Sequence, residues 1–277
     1  MEVITLSLWG QSFVDCFSLG SNFRGNQVMH DDACLSYIHS GTQEICTPSG
    51  KIIAKNGESI LTKCGSFVAK NIGENSTSGF SSIIFHLNLK TIKKAFEGKD
   101  IGFLTIQRES KKIESSVKFN NNQLIENFVA SMTLYFENPD LAKEEIMVLK
   151  LQELVYILCD SAENPLAAQI IGSLQSQEQV SFEDIISANL YSNLNINELA
   201  HLTTRSESSF KRDFKKWYQV SPAKYLKTKR LEKAADLLKN TKLRVNEIAW
   251  DCGFENAAHF GASFLTSYGK TPNDYRV

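Results

Sequence analysis

The 277-residue chain lacks most features that would assign it quickly to a class. No run of about 18 apolar residues occurs, so no membrane-spanning helix and no membrane partner are expected. Only 5 Pro and 15 Gly are present and 42% of residues are hydrophobic, which excludes collagen-like, low-complexity and disordered chains. The six cysteines (Cys16, Cys34, Cys46, Cys64, Cys159, Cys252) are scattered without C-x-x-C or zinc spacing. That distribution fits reduced thiols in a cytoplasmic protein. The first twenty residues carry Glu2 and Asp15 and no basic stretch, so no secretory leader is expected.

Catalytic signatures are missing as well. There is no G-x-S-x-G, Walker A or G-x-G-x-x-G motif, and no Cys/His pair at a recognisable spacing. His30, His39 and His86 stand in the strand-rich region without an H-x-H, and Glu44 and Glu58 lack the accompanying spacing. A catalytic metal needs several clustered N/O ligands. The histidines therefore read as structural or surface residues, with no enzyme, metal or cofactor expected.

The net charge of −1 hides a polarised chain. Residues 205–244 hold 13 Lys/Arg against 4 Asp/Glu, net +9, while residues 245–277 hold 2 against 4, net −2. A +9 block inside a nearly neutral protein suggests an anionic partner, and the phosphate backbone is the commonest.

The same region repeats itself. Phe210, Phe214, Tyr218, Pro222 and Tyr225 recur fifty positions on as Phe260, Phe264, Tyr268, Pro272 and Tyr275. Asn197-Glu198-Leu199-Ala200 recurs as Asn246-Glu247-Ile248-Ala249, so the second turn is one residue longer. Such periodicity marks a duplicated module. Each copy reads as two short helices. Asn195 and Glu198 form a capping-box pattern for the first, with Ile196, Leu199, Ala200 and Thr203 on one face. Ser206 caps the second, whose buried stripe reads Phe210, Phe214, Trp217 and Tyr218. Ser206, Glu207, Ser208, Lys211, Arg212, Lys215 and Lys216 are left outward, the layout of a helix that enters the major groove.

In the second copy Gly253 makes the turn and Asn256 the cap, with Phe260, Phe264 and Tyr268 inward. Ser221-Pro222 starts an intervening helix that runs to about Lys239. At 1.5 Å per residue it is about 27 Å long, near the 34 Å of one B-DNA turn.

Residues 195–277 resemble the AraC/XylS family of bacterial transcription regulators. The resemblance rests on Ser209-Phe210-Lys211-Arg212-Asp213-Phe214-Lys215-Lys216, Ser221-Pro222 and Tyr225-Leu226. In the second copy it rests on Glu247-Ile248-Ala249, Cys252-Gly253-Phe254, His259-Phe260, Phe264, Tyr268-Gly269, Thr271-Pro272 and Tyr275-Arg276. The family implies two helix-turn-helix units joined by a rigid helix on successive major grooves. It also implies double-stranded promoter DNA and RNA polymerase as partners, and a homodimer. One departure concerns the second recognition helix, where Ala257, Ala258, Gly261, Ala262 and Leu265 take outward positions and only Asn256, His259 and Ser263 are polar. The first unit is therefore expected to carry base readout and most phosphate contacts, the second shape, methyl contacts and register.

Upstream, residues 30–90 read as short strands: 33–38, 44–47, 51–54, 59–62, 66–69 and 82–87, punctuated by Gly41, Pro48-Ser49-Gly50, Asn56-Gly57 and Gly65. They suggest a small antiparallel barrel or sandwich. Its glycine spacing is similar to the cupin-type barrel found N-terminal in many regulators of the family. Two helices follow, one with Leu124, Phe128, Met132, Tyr135 and Phe136 on its stripe. The other runs to about Cys159, with Ile146, Leu149, Leu151, Leu154 and Leu158 inward. Such helices pack on the barrel or pair two protomers. Residues 175–181 look like a linker, followed by a lead-in helix from Phe182 to about Tyr191.

The expected fold is thus α+β and multidomain: a cupin-like sensing and dimerisation domain over 1–175, then an all-α double helix-turn-helix domain over 181–277. The expected function is sequence-specific transcription regulation, as an activator, in the cytoplasm. The signal is either a small-molecule effector in the barrel or a regulatory protein, as in type III secretion activators. Two rivals remain. A cupin enzyme or sugar-binding module would carry metal and bind DNA without sequence preference. An architectural DNA binder would show steep salt dependence and no preferred operator.

Overall fold

The computed structural model describes residues 2–19, 23–73, 79–99, 115–120, 122–159, 165–175 and 180–276. The chain divides into two compact units, Met1–Val180 and Ser181–Val277. Of the linker expected over 175–181, residues 176–179 lie outside the described residues, as does the side chain of His30.

Among the described residues unit 1 holds one antiparallel sheet of eight strands: β1 (Glu2–Leu8), β2 (Gln11–Leu19), β3 (Phe23–Ser40), β4 (Thr42–Thr47), β5 (Gly50–Lys55), β6 (Ser59–Ile72), β7 (Phe80–Asn88) and β8 (Ser116–Phe119). Their order is β1-β2-β7-β3-β6-β4-β5, with β8 added on β6. The end strands β1 and β5 are not paired to each other among the described residues, so the sheet is open where a closed barrel was expected.

Two features escaped the turn signals. β1 and β2 join through Trp9-Gly10, both at positive φ (54° and 76°), the dihedral signature of a type I′ hairpin written without Asn-Gly. Trp9 is held there by a hydrogen bond from its indole Nε1 to Glu144 (2.6 Å) and by Lys94 4.0 Å from its ring centre. The expected break at Gly65 is no turn, since β6 runs through it. The register with β3 goes from Met29↔Gly65 to Ala33↔Lys63, so extra β3 residues are absorbed as a bulge.

Strand alternation sorts side chains to two faces. One face, with Leu6, Val14, Leu35, Phe85 and Leu87, packs under α1 (Leu89–Ala95), α2 (Gln123–Glu137), α3 (Glu144–Cys159) and α4 (Pro165–Gly172). The other gathers Leu19, Ile38, Ile45, Ala54, Ile60, Phe67, Ala69 and Phe80. The expected stripes of α2 and α3 are kept at Phe128, Met132 and Phe136 and at Leu151, Leu154 and Leu158, and they broaden onto a neighbouring side. Ile125, Phe128, Val129, Met132 and Phe136 are buried on α2, and Met147, Leu151, Leu154, Val155 and Leu158 on α3. Leu124 and Leu149, expected inward, are 60% and 59% exposed. Both helices are apolar on more than one side, so periodicity alone leaves their rotation ambiguous.

Unit 2 is all α-helix: α5 (Phe182–Ala188), α6 (Ile196–Leu202), α7 (Glu207–Tyr218), α8 (Pro222–Asn240), α9 (Val245–Asp251), α10 (Ala257–Tyr268) and α11 (Pro272–Tyr275). Local chemistry fixes each boundary. Asn195 accepts from the Glu198 N–H (2.9 Å) and Glu198 accepts from the Asn195 N–H (2.8 Å), closing the expected capping box. Ser206, Ser221, Asn256 and Thr271 cap α7, α8, α10 and α11. α7 and α10 end alike, in left-handed residues Gln219 (φ 60°) and Gly269 (φ 69°). The lead-in helix α5 stops at Ala188, short of Tyr191, with Asn189 as its C-cap.

Candidate nucleic-acid interface

The fifty-residue repeat is a repeat of ring geometry. Phe210 and Phe214 lie 5.6 Å apart, as do Phe260 and Phe264. Phe214 meets Tyr218 at 4.5 Å and Tyr225 at 5.5 Å, and Phe264 meets Tyr268 at 4.5 Å and Tyr275 at 5.1 Å. The tyrosine at the end of each second helix also meets the tyrosine of the next in a tilted contact, Tyr218 with Tyr225 at 4.5 Å and Tyr268 with Tyr275 at 5.1 Å, which clamps α7 to α8 and α10 to α11. This is why the aromatic positions recur at one offset while the outward ones do not.

Two burial expectations need correction. Trp217 is 58% exposed, although the stripe placed it inside. The ring contacts run from Phe182 to Phe210 and Phe214 and on to Tyr218 and Tyr225, a line that passes Trp217 by at the far end of α7. Ser263, expected outward, is 4% exposed, because it falls with Phe260 and Phe264 at i+3 and i+4 on the inner stripe of α10. It offers no side chain to a ligand outside.

The remaining outward residues of α7 lie where the pattern put them. Ser206, Glu207, Ser208, Lys211, Arg212, Lys215 and Lys216 are all exposed. They are not equivalent. Lys211 is held at 2.5 Å by Glu207 one turn earlier, and the Ser206 and Ser208 hydroxyls lie 3.2 Å apart. Arg212, 76% exposed, makes only a long contact to Ser209 (3.5 Å) and a loose one to Asp213 (3.6 Å). It is the guanidinium best placed to reach a base edge. On α10 the exposed polar groups are Asn256 and His259, with Asn256 accepting from the His259 N–H at 2.7 Å and the His259 ring edge-on to Phe254.

The +9 block is less available than its count suggests. Arg205 is bonded to Asp213 (3.0 Å) with its guanidinium over the Phe182 ring. Lys229 pairs with Glu232, and Lys233 lies over Tyr191. Arg230, in the same basic block, points inward. Its guanidinium donates to the carbonyls of Leu190, Ser192 and Gly253, tying α8 to the segments before α6 and after α9. Burial pulls its pKa down from the ordinary arginine value. Lys224 and Lys227, on the exposed side of α8 beside α7, are cations that the motif reading passed over.

A model of the ExsA N-terminal regulatory domain matches residues 33–170, and a helix-turn-helix domain model matches residues 199–277. The chain belongs to the AraC family of transcription regulators. ExsA of Pseudomonas aeruginosa is 22% identical over 224 residues, 79% of this chain and 77% of that protein. VirF of Yersinia enterocolitica, a virulence regulon transcriptional activator, is 22% identical over 62% of this chain and 63% of its own length. YdiP of Escherichia coli is 33% identical over 36% of this chain and 34% of its own. The chain thus spans between a third and under two thirds of YdiP and VirF. Among solved structures, the C-terminal domain of yesN from Fusobacterium nucleatum is 32% identical over 35% of this chain and 94% of that one, with a TM-score of 0.33.

Proposed function

We propose that the chain is a sequence-specific, double-stranded-DNA-binding transcription regulator acting as an activator, with residues 181–277 as reader and residues 1–175 as regulatory domain. One observation carries the reading: a twice-repeated bihelical unit whose α7 turns two phenylalanines inward and an uninterrupted polar, basic face outward. In this reading α7 supplies base and phosphate contacts through Arg212, Lys211, Lys215 and Lys216. α10 supplies register through Asn256 and His259, with apolar contact from its alanine face.

Several finer features belong to the same proposal. The sheet of unit 1 is cupin-like, with Gly41 (φ 90°) and Gly57 (φ 80°) at strand connections. The protein pairs as a homodimer, for which the exposed Leu124, Leu134, Leu149 and Tyr156 of α2 and α3 offer apolar surface. It works in the cytoplasm with RNA polymerase and is not an enzyme. Among the described residues no helix is long and apolar enough to cross a membrane. The protein's signal is a small-molecule effector or a regulatory protein, the latter as in type III secretion activators, and the match of unit 1 to the ExsA regulatory domain supports the regulatory role of that unit.

The test uses the full chain and fluorescence anisotropy on duplexes from the DNA flanking its own gene, against a random duplex. Neutralising Lys211 and Arg212 together should cost more than the about 1–3 kcal/mol expected of a base-reading Arg212 alone on the preferred duplex, and lower the salt slope by about 1 through Lys211. Unchanged occupancy by a still-folded variant removes the reading.

A further inference from the structure

Away from the DNA-binding helices, three residues distant in sequence form a relay on unit 1. On the sheet face opposite the helices, the Cys34 Sγ of β3 lies 3.5 Å from His86 Nδ1 of β7. His86 Nε2 lies 2.8 Å from Asp15 Oδ2 of β2. The other Asp15 oxygen accepts from the hydroxyls of Thr5 (2.7 Å) and Ser12 (3.0 Å), so the carboxylate is anchored from its own hairpin. Sheet register imposes the arrangement. Cys34 and His86 are direct cross-strand partners, and Asp15 pairs with Ile84, two residues from His86 on the same face.

The electrostatics fix the protons. Burial pushes the Asp15 pKa up, but the bonds from Thr5, His86 and Ser12 outweigh it and hold the carboxyl below its ordinary value. An ionised Asp15 selects the tautomer with hydrogen on Nε2 and leaves the Nδ1 lone pair facing the thiol. This is the ordering of an activated nucleophile: thiol, base, and a carboxylate that orients the base. The imidazole nitrogens face opposite partners, so the three do not converge on one point. Among the described residues no group of three such ligands could hold a metal ion.

A second, independent observation marks the same spot. The hydroxyls of Thr62, directly across from Cys34 on β6, and of Ser36, two residues along β3, are buried with no hydrogen-bond partner. They are 5% and 7% exposed, on the Cys34 face of the sheet. Unsatisfied buried hydroxyls are costly unless something polar arrives between them. The solvent edge of the relay is open, since the His86 and Asp15 side chains are 18% and 24% exposed while Cys34 is 6%.

We propose that Cys34 is a peroxide-reactive thiol, converted by a small hydroperoxide to a sulfenic acid that the Thr62 and Ser36 hydroxyls receive. The thiol proton passes to His86 Nδ1, and the thiolate sulfur attacks one peroxide oxygen. An S–O bond forms as the O–O bond breaks. Sulfur loses two electrons to the peroxide, and the leaving hydroxide or alkoxide takes the proton from the imidazolium, giving water or alcohol. The new S–OH then has oxygen acceptors and hydroxyl donors within the same face. This chemistry stands independently of the DNA-binding reading.

The test treats the reduced full chain with sub-stoichiometric hydrogen peroxide, traps sulfenic acid with dimedone and quantifies each cysteine by peptide mass spectrometry. Among the cysteines whose side chains are described, exposure alone predicts that the partly exposed Cys16 and Cys159 react first. Activation predicts that Cys34 leads them, at least tenfold faster than Cys252, a buried thiol that desolvation pushes up to about 11. Asp15→Asn should slow Cys34 labelling at least tenfold and leave Cys159 labelling unchanged. Labelling that follows exposure, or a Cys34 rate indifferent to Asp15→Asn in a folded variant, overturns the proposal. If Asp15→Asn does not fold, the order of labelling in the unaltered chain still decides.

Discussion

The guanidinium of Arg230 donates to the backbone carbonyl of Gly253 at 3.1 Å, so the long helix α8 grips the turn of the second helix-turn-helix unit directly. The same group reaches the carbonyls of Leu190 and Ser192 (3.1 Å for Leu190). Three carbonyls converge on one planar donor, a geometry that an ammonium cannot copy. Arg230→Met should therefore cost about 3 kcal/mol in urea unfolding, because three acceptors lose a charged partner. Arg230→Lys should recover under half of that. A loss under about 0.5 kcal/mol for Arg230→Met would show the contacts to be incidental.

Gly253 is placed by the same knot. At φ 80° a Cβ would meet the Tyr191 carbonyl oxygen at 2.6 Å and that of Ser192 at 2.7 Å. Both are backbone atoms that cannot swing aside. Gly253→Ala should destabilise the protein by about 2–4 kcal/mol, adding left-handed strain to the clash. The first copy places Thr204 at the matching turn, at φ 56°. A β-branched residue is strained there. Thr204→Gly should gain about 0.5–1 kcal/mol, net of glycine's entropy in the unfolded chain. Thermal melts of the two variants should move in opposite directions.

How far the fold was legible follows from what each signal encodes. Unit 2 could be read because its caps, turns and ring clamps are local chemistry repeated twice. Capping pairs such as Asn195 with Glu198, three residues apart, are visible in the sequence. Where a helix lacked cover on one side, pattern alone failed, as at Trp217 and Leu149. Unit 1 was half legible. Strand segments showed, but β1, β2 and β8 did not, and no sequence spacing announces that Cys34 and His86, 52 residues apart, share a cross-strand pair. Cross-strand neighbours are fixed by register, which non-local pairing decides.

Acid should weaken the sheet. Asp15 and Glu58 are both pushed up by burial. They are drawn down further, Asp15 by Thr5 and His86 and Glu58 by Lys118 and the Lys55 N–H, so their folded pKa values lie below the ordinary values of 3.8 and 4.5. A depressed carboxyl pKa contributes stability that is present above the unfolded value and lost as pH falls through the folded one. The melting temperature should hold steady down to about pH 5 and drop between about pH 4 and pH 2. Asp15→Asn should make that drop shallower; an equal drop in the variant would show that Asp15 does not contribute.

The two candidate readers differ in what they can present to DNA, and single substitutions separate them. Arg212 carries a fork of donors, is 76% exposed and is held only loosely. His259 is exposed, but its ring leans on Phe254 and its neighbours on α10 are Ala258 and Ala262. Arg212→Ala should cost about 1–3 kcal/mol on a preferred duplex and narrow the gap between that duplex and a random one. His259→Ala should cost less and leave the salt slope unchanged. Lys215→Ala should weaken both duplexes alike and lower the slope by about 1, as expected of a phosphate contact. If His259→Ala proves the costlier change, the alanine-faced helix is the principal reader. The basic face of α7 would then serve to hold the protein on the phosphates while α10 chooses the site.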